Sequence, residues 1–127
     1  MKILDGKNAT MGRLASYTAK EALKGEEIII LNCEEIIVTG SKNNIQKEFE
    51  EKRKKVGSGQ LGPKVSKDIE KMVKRVVRGM LPHRSGNGQA ALRRIRCYKG
   101  VPKEFEGKKI ISAGREKHNK YIRVKEI

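Results

Sequence analysis

The sequence contains no tryptophan, and its aromatic residues are only three tyrosines and two phenylalanines in 127 residues. Proteins that bind single-stranded nucleic acid usually stack bases on aromatic side chains, so scattered rings argue against a stacking surface. The longest aliphatic run, Ile28–Leu31, is far shorter than the ~20 residues that a membrane-spanning helix needs. The first ten residues hold no apolar segment typical of a signal peptide. We therefore expect a cytoplasmic protein that does not partner a membrane.

Cysteine is also scarce, and the two that occur, Cys33 and Cys97, form no CxxC pair and have no histidine at zinc-binding spacing. Each lies in an apolar or strand-like stretch, which favours a small, reduced core residue. Zinc binding, a disulfide and a nucleophile are the alternatives.

The sequence lacks the residue patterns of an active site. Its only histidines, His83 and His118, have no carboxylate or cysteine cluster near them, and no Ser-His-Asp order or paired-carboxylate spacing stands out. We expect no catalytic residue, no metal site, no cofactor and no small-molecule substrate.

Basic residues are abundant and unevenly placed. Lys and Arg number 30 against 15 Asp and Glu, which gives a net charge of +15. Residues 1–40 have a net charge of −1 and residues 41–127 one of +16, and Lys71 to Lys103 contains ten basic residues and no acidic one. Because such a stretch repels itself, it indicates a polyanionic partner, with nucleic acid favoured over an anionic membrane surface.

Aliphatic runs and a helical pattern alternate in the first half, which predicts an α/β domain rather than a bundle or barrel. A single domain over residues 1–127 is expected. Its first half is predicted to contain strands at Lys2–Asp5, Glu27–Asn32 and Ile36–Thr39, a helix over about 11–24 that stops at Gly25, and a helix from Ser41 to about Lys55.

The region after residue 65 contains the clearest helix. Ser66 is a plausible N-cap, and the cations Lys67, Lys71, Lys74, Arg75 and Arg78 lie opposite an apolar stripe. The stripe comprises Ile69, Met72, Val73, Val76, Val77 and Met80. A turn-rich loop over 82–88, a short helix over about Gln89–Arg94, a strand at Ile95–Tyr98 and a final strand or tail over 121–127 are expected to follow.

Two basic segments are the candidate binding regions: a mobile, glycine-rich loop over about 52–65 and a polyanion-facing segment over about 71–103. Arginine favours bidentate phosphate contacts, whereas the lysine-rich run 52–55 indicates general attraction or, alternatively, a solvated helix end. His83 is either a hydrogen-bond donor to the partner or an exposed spectator. The candidate binding residues are Arg13, Lys52, Arg53, Lys54, Lys55, Lys64, Lys71, Lys74, Arg75, Arg78, His83, Arg84, Arg93, Arg94, Arg96 and Lys99.

The turn from Asp5 to Arg13 lies where a helix N-terminus can hold a phosphate. Its glycines, Gly6 and Gly12, follow neither the GxGxxG nor the GxxxxGK[ST] spacing. A turn-forming role is therefore favoured over a mononucleotide site, although Arg13 remains available to a phosphate of a larger polyanion.

The string VVRGMLPHRSGNGQAALRRIRCYKGVP (Val76–Pro102) resembles the signature region of the universal large-subunit ribosomal protein L-thirteen family in its archaeal and eukaryotic form. The opening DGKNATMGRL and the residues after it are similar to the family's first half, so the resemblance covers essentially the whole chain. It implies a single three-layer α/β/α domain around a small, mainly parallel four-stranded sheet, with basic loops.

The resemblance further implies early binding to large-subunit ribosomal RNA, neighbouring large-subunit ribosomal proteins as partners, and a structural, non-catalytic role. Its GMLPHR loop and the arginines at 93, 94 and 96 match the basic region of the family motif. We therefore predict a structural constituent of the large ribosomal subunit in the cytoplasm that supports early assembly. The alternatives are a DNA- or chromatin-associated basic protein and a degenerate mononucleotide-binding enzyme.

Overall fold

A computed structural model describes residues 1–54, 68–112 and 120–126 of the chain. Four helices and six short strands follow one another there, with single 3-10 turns between some of them. Their order is β1 (Lys2–Asp5), α1 (Met11–Leu23), β2 (Ile28–Leu31), β3 (Ile37–Thr39), α2 (Lys42–Lys54), α3 (Ile69–Gly79), α4 (Gly86–Arg93), β4 (Ile95–Cys97), β5 (Ile111–Ser112) and β6 (Tyr121–Arg123).

The main sheet has the strand order β4-β2-β1-β5, and every pairing in it is parallel. Its centre is β2, in which all four residues are buried. A parallel strand covered on both faces needs a continuous aliphatic sequence, which the run IIIL supplies. The predicted α/β class and the mainly parallel four-stranded sheet are confirmed.

Three helices pack on one face of this sheet. Helix α1 contacts both α3 and α4, and Leu4, Ile28 and Ile30 point from the sheet into the same buried cluster as Val73 and Val77 of α3. Each such side chain contributes roughly 1.5–3 kcal/mol when fully removed from water. The apolar stripe of α3 therefore fixes which of its sides remains in solvent.

The other face of the sheet presents Ile3, Ile29 and Leu31, because alternate residues of a strand point to opposite sides. Phe105, on the 3-10 turn Lys103–Phe105, covers them, and its ring centroid lies 5.5 Å from that of Tyr98. Within the described residues this layer is a 3-10 turn and not the helix that a three-layer α/β/α arrangement implies.

A second, two-stranded antiparallel sheet lies beside the main one and joins β3 to β6. The strand predicted at Ile36–Thr39 is present as β3 and belongs to this second sheet, and the final strand near the C-terminus is confirmed as β6. Ile37 pairs with Arg123, and the Ile37 amide also donates to the Ala9 carbonyl at 2.8 Å. These long-range bonds tie the end of the chain to its beginning.

Glu35 and Arg123 fasten the second sheet to the preceding turn. The Arg123 guanidinium lies 3.1 Å from the Glu35 carboxylate and donates to Asn8 Oδ1 at 3.0 Å. Lys125 Nζ lies 3.0 Å from the same carboxylate. The hydrogen bond from Lys125, with further attraction from Arg123, lowers the pKa of Glu35 below its ordinary value near 4.5.

We expect this carboxylate to make folding sensitive to acid. Since the pKa of Glu35 is lower in the folded chain than in the unfolded one, its stabilisation is present above pH 4.5 and is lost as the pH falls through the folded value. Substituting Glu35→Gln is expected to lower the free energy of unfolding at neutral pH by about 1 kcal/mol. Below pH 4.5 the free energy of unfolding of this variant is expected to fall less steeply than that of the unmodified protein. Urea unfolding followed by circular dichroism across this range measures both effects. Glu27 is exposed, and the matched control Glu27→Gln is expected to leave both the stability at neutral pH and its acid dependence unchanged. An unchanged acid dependence in the Glu35→Gln variant would contradict the role of the Glu35 carboxylate.

Two helix starts and one strand differ from the predictions. Helix α4 begins at Gly86 rather than near Gln89, because the Ser85 hydroxyl accepts the Gly88 amide as an N-cap. Helix α3 is capped by Asp68, whose side chain accepts the Glu70 amide, and Ser66 lies outside the described residues. Strand β5, an exposed two-residue edge, was not anticipated.

The predicted mobile loop over about 52–65 falls largely on residues 55–67, which are outside the described part of the chain, as is His118. In the residues that are described, no helix combines the length and the apolar character required to cross a bilayer.

Candidate nucleic-acid interface

Helix α3 divides its residues between core and solvent as its periodicity predicts. Met72, Val73 and Val77 are buried against the sheet. On the opposite side Lys71, Arg75 and Arg78 are exposed, and Lys74 is half-buried. The stripe lacks its last predicted member, because the helix stops at Gly79 and leaves Met80 at the C-cap with 44% of its surface exposed.

A groove of about 510 Å³ runs along this side of α3, between α3 and the last turns of α2. Half-buried Phe49, Val76 and Leu92 form part of its floor together with Met72. None of the residues that line the groove is acidic. Five cations form its rim: Lys52, Lys71, Lys74, Arg75 and Arg78. The groove thus combines an apolar floor with a uniformly positive rim.

A second cleft of about 260 Å³ adjoins the groove on the side of β4. Lys71 and Lys74 line both depressions, and the second one adds Arg96, whose side chain points out of the strand into solvent. Cys97, Tyr98 and Glu70 complete its lining. We call the continuous set formed by Lys52, Lys71, Lys74, Arg75, Arg78 and Arg96 the basic surface.

None of the ion pairs between described residues involves Lys71, Lys74, Arg78 or Arg96. Their carboxylates are those of Glu21, Glu26 and Glu35. Their cations are the N-terminus, Lys2, Lys24, Arg123 and Lys125. Lys71, Lys74, Arg78 and Arg96 therefore have no carboxylate partner in the described structure. Their charge is not neutralised there, and this leaves it to attract an external polyanion.

The remaining sequence-predicted residues are more dispersed. Arg84 and Arg93 are exposed beside α4, and Arg13 is exposed on α1, but these three line neither depression. Lys54 and Lys99 are also exposed. The side chain of Arg53, together with Lys55 and Lys64, lies outside the described residues.

His83 occupies the turn between α3 and α4 and is half-buried, which differs from an exposed spectator. Its Nδ1 atom is enclosed and has no hydrogen-bond partner among the described residues. The imidazole is thus incompletely satisfied within the domain. Such a group gains a hydrogen bond only from water or a bound partner.

Arg94 has a structural contact that the sequence did not indicate. Its guanidinium is half-buried and donates to the carbonyl oxygen of Ala22 at 2.9 Å. This oxygen belongs to the last turn of α1 and also accepts the Gly25 amide at 3.1 Å. Arg94 therefore joins α4 to the end of α1 and differs from its exposed neighbours Arg93 and Arg96.

We expect Arg94→Ala to lower the free energy of unfolding by about 1–2 kcal/mol, because it leaves the Ala22 carbonyl without its charged donor. Arg93→Ala removes the same side chain one residue earlier and is expected to change stability by no more than about 0.5 kcal/mol. Chemical denaturation of the two variants measures the difference. Equal stabilities would show that the contact with Ala22 contributes nothing.

Two acidic residues that the sequence did not single out hold the turn after β4. Glu70 accepts the backbone amide of Lys99 at 3.0 Å, and Glu34 accepts that of Gly100 at 3.0 Å. Gly100 has a φ of +61°, which its lack of a side chain permits. These bonds fix the conformation of the turn that follows Arg96. In the sequence, only the Lys99-Gly100 pair indicated a turn here.

The N-terminal turn has a packing role. A Cβ on Gly6 would lie 2.8 Å from the Ile36 side chain and 2.9 Å from the Leu31 carbonyl oxygen. Asp5 accepts both the Lys7 amide and the Asn32 side chain. Close backbone approach thus accounts for Gly6, which supports the turn-forming interpretation over a mononucleotide site.

Comparison with known proteins agrees with these features. The sequence model of the family described as Ribosomal protein L13 matches residues 1–104. The chain is 38% identical to the large ribosomal subunit protein uL13 of Archaeoglobus fulgidus over 98% of this chain and 83% of that protein. It is 34% identical to the protein of the same name from Methanococcoides burtonii, over 100% and 94% of the two chains, and 38% identical to that of Methanosphaera stadtmanae, over 86% and 79%. The family model and these relatives match most of the chain, and the fold and its exposed cations agree with that match. The chain therefore belongs to the ribosomal protein L13 family.

Proposed function

We propose that this protein is a structural constituent of the large ribosomal subunit and that it binds ribosomal RNA through the basic surface. The observation that carries the proposal is the continuous row of cations on α3 and β4, in which Lys71, Lys74, Arg78 and Arg96 meet no carboxylate in the described residues. The family supports the same function, because its members are large-subunit ribosomal proteins. The cytoplasmic large subunit is the corresponding location.

The basic surface favours contacts with phosphates and sugars over readout of base edges. Lysine and arginine side chains neutralise phosphates wherever the backbones of two RNA segments approach each other. The exposed cations of α3 lie in a row along one side of the helix. Such a row favours contact with the backbone of a folded RNA, which is recognised by its shape. In this role the protein reduces repulsion between neighbouring RNA segments and supports early assembly of the subunit.

The proposal also includes further partners and residues outside the basic surface. Neighbouring large-subunit proteins are further partners. Peripheral attraction to RNA comes from Arg13, Arg53, Lys54, Lys55, Lys64, Arg84, Arg93 and Lys99. The protein acts without catalysis, cofactor or metal, in keeping with a structural role.

Binding of a large-subunit ribosomal RNA fragment at increasing salt concentration tests the proposal. For each duplex phosphate that the protein neutralises, the logarithm of the association constant is expected to fall by about 0.9 per tenfold increase in salt concentration. Duplex DNA of equal length is expected to compete poorly, since its B-form backbone has a different shape. Equal competition would favour the DNA- or chromatin-associated alternative, and a response independent of salt would contradict binding through the cations.

A further inference from the structure

The fold brings the two cysteines together although they are far apart in sequence. Cys97, in β4, lies opposite Ile30 in the parallel pairing with β2. The Cys33 thiol lies 3.6 Å from the Ile30 carbonyl oxygen, and the Cys33 amide donates to the Tyr98 carbonyl at 3.2 Å. Both cysteines belong to the buried cluster on the helical face. Cys33 is therefore held against the end of β4, next to Cys97.

The two thiols have different surroundings. A hydrogen bond with Cys97, together with burial, raises the pKa of Cys33, which keeps that thiol protonated and enclosed. Cys97 retains 8% of its surface and lines the second cleft beside Lys71, Lys74 and Arg96. A small reagent that enters this cleft therefore meets Cys97 first and finds Cys33 behind it.

We propose that Cys33 and Cys97 form an oxidation site, at which hydrogen peroxide entering through the cleft converts the dithiol into an intramolecular disulfide. The Cys97 sulfur attacks one peroxide oxygen, the O–O bond breaks, and the products are a sulfenic acid on Cys97 and one water. The Cys33 sulfur then attacks the Cys97 sulfur and forms the S–S bond, the S–O bond of the sulfenic acid breaks, and the hydroxyl group leaves with the Cys33 proton as a second water. The thiol pair thus loses two electrons and two protons, which reduce one peroxide to two waters.

Bound RNA controls access to this site, and this part of the inference rests on the proposed function. Lys71, Lys74 and Arg96 belong both to the basic surface and to the lining of the cleft that exposes Cys97. An RNA backbone held by these cations closes the cleft. The dithiol is therefore oxidised in the free protein and protected in the ribonucleoprotein.

Peptide mass spectrometry of the full chain after exposure to hydrogen peroxide, without reduction, tests the oxidation site. We expect a peptide pair joined through Cys33 and Cys97. The Cys97→Ser variant is expected to form no disulfide, and Cys33→Ser is expected to stop at a sulfenic acid on Cys97 that dimedone traps. Circular dichroism checks both folds, with Cys→Ala variants used where serine disturbs the core. Disulfides only between molecules, or independent overoxidation of each cysteine, would overturn the proposal.

The same reaction followed with ribosomal RNA present separates the two parts of the inference. At an RNA concentration about 100 times Kd, the disulfide is expected to form about 100-fold more slowly, because only the unbound fraction reacts. An unchanged rate while a mobility shift shows full binding would place RNA away from the cleft and overturn the protection. Absence of the mobility shift would instead contradict the proposed function, and the oxidation without RNA would still decide the dithiol.

Discussion

The Gly88→Ala variant is expected to be severely destabilised. A Cβ at this position would lie 1.8 Å from the Pro82 carbonyl oxygen and 2.2 Å from its carbon, and both are backbone atoms that no side-chain rotation can move. The same carbonyl accepts the Ser85 hydroxyl at 2.8 Å and the Ser85 amide at 2.9 Å. Relieving the overlap therefore requires the turn between α3 and α4 to open and the N-cap of α4 to be lost.

We expect this overpacking to lower the free energy of unfolding by about 3 kcal/mol or more and the melting temperature by about 10 °C or more. Thermal unfolding followed by circular dichroism measures the change. Gly86, two residues earlier in the same helix, provides the matched control, because a Cβ there meets nothing within 4 Å. Gly86→Ala is expected to leave stability unchanged or to raise it by up to about 1 kcal/mol. Similar behaviour of the two variants would contradict the close approach of α4 to Pro82.

The second large effect is expected on RNA affinity, in a variant that combines Lys71→Gln, Lys74→Gln and Arg78→Gln. These three cations line the groove and have no carboxylate partner in the described residues, so their removal takes away phosphate contacts without breaking an ion pair there. At about 0.1 M salt we expect affinity for the ribosomal RNA fragment to fall about 100-fold, and the salt-dependence slope to decrease by about 2–3.

A control of equal charge separates the surface from the net charge of the chain. Lys20, Lys47 and Lys109 are exposed and line neither the groove nor the second cleft. Replacing all three with glutamine removes the same number of positive charges and is expected to change affinity only a few-fold. Equal losses in the two triple variants would show that RNA responds to total charge and that the basic surface is not a specific interface.

Local patterns in the sequence were sufficient for much of the fold. The aliphatic run of β2 and the periodicity of α3 predicted both the elements and their buried sides, because burial imposes these patterns residue by residue. The cations of α3 were predicted as one face for the same reason. Their union with Arg96 required the packing of α3 beside β4, which no local pattern encodes.

Most of the differences from the sequence-based predictions have one physical cause, which is that the deciding contact lies far away in sequence. The pairing of Ile37 with Arg123 places β3 in its own sheet, and the bond from Arg94 to Ala22 gives an arginine in a basic run a structural role. Gly88 was interpreted as part of a turn because glycine favours turns, whereas here its small size admits the Pro82 backbone. The proximity of Cys33 and Cys97 was likewise visible only after folding.

Cross-linking of large ribosomal subunits with ultraviolet light, followed by mass spectrometry of peptide–RNA adducts, tests the interface most directly. The basic surface predicts adducts on peptides that contain Lys71 to Arg78 and Arg96, with the exposed side of α1 around Lys20 largely unmodified. Adducts confined to α1 or to the second sheet, with α3 and β4 unmodified in intact subunits, would contradict the claim that these cations hold the RNA.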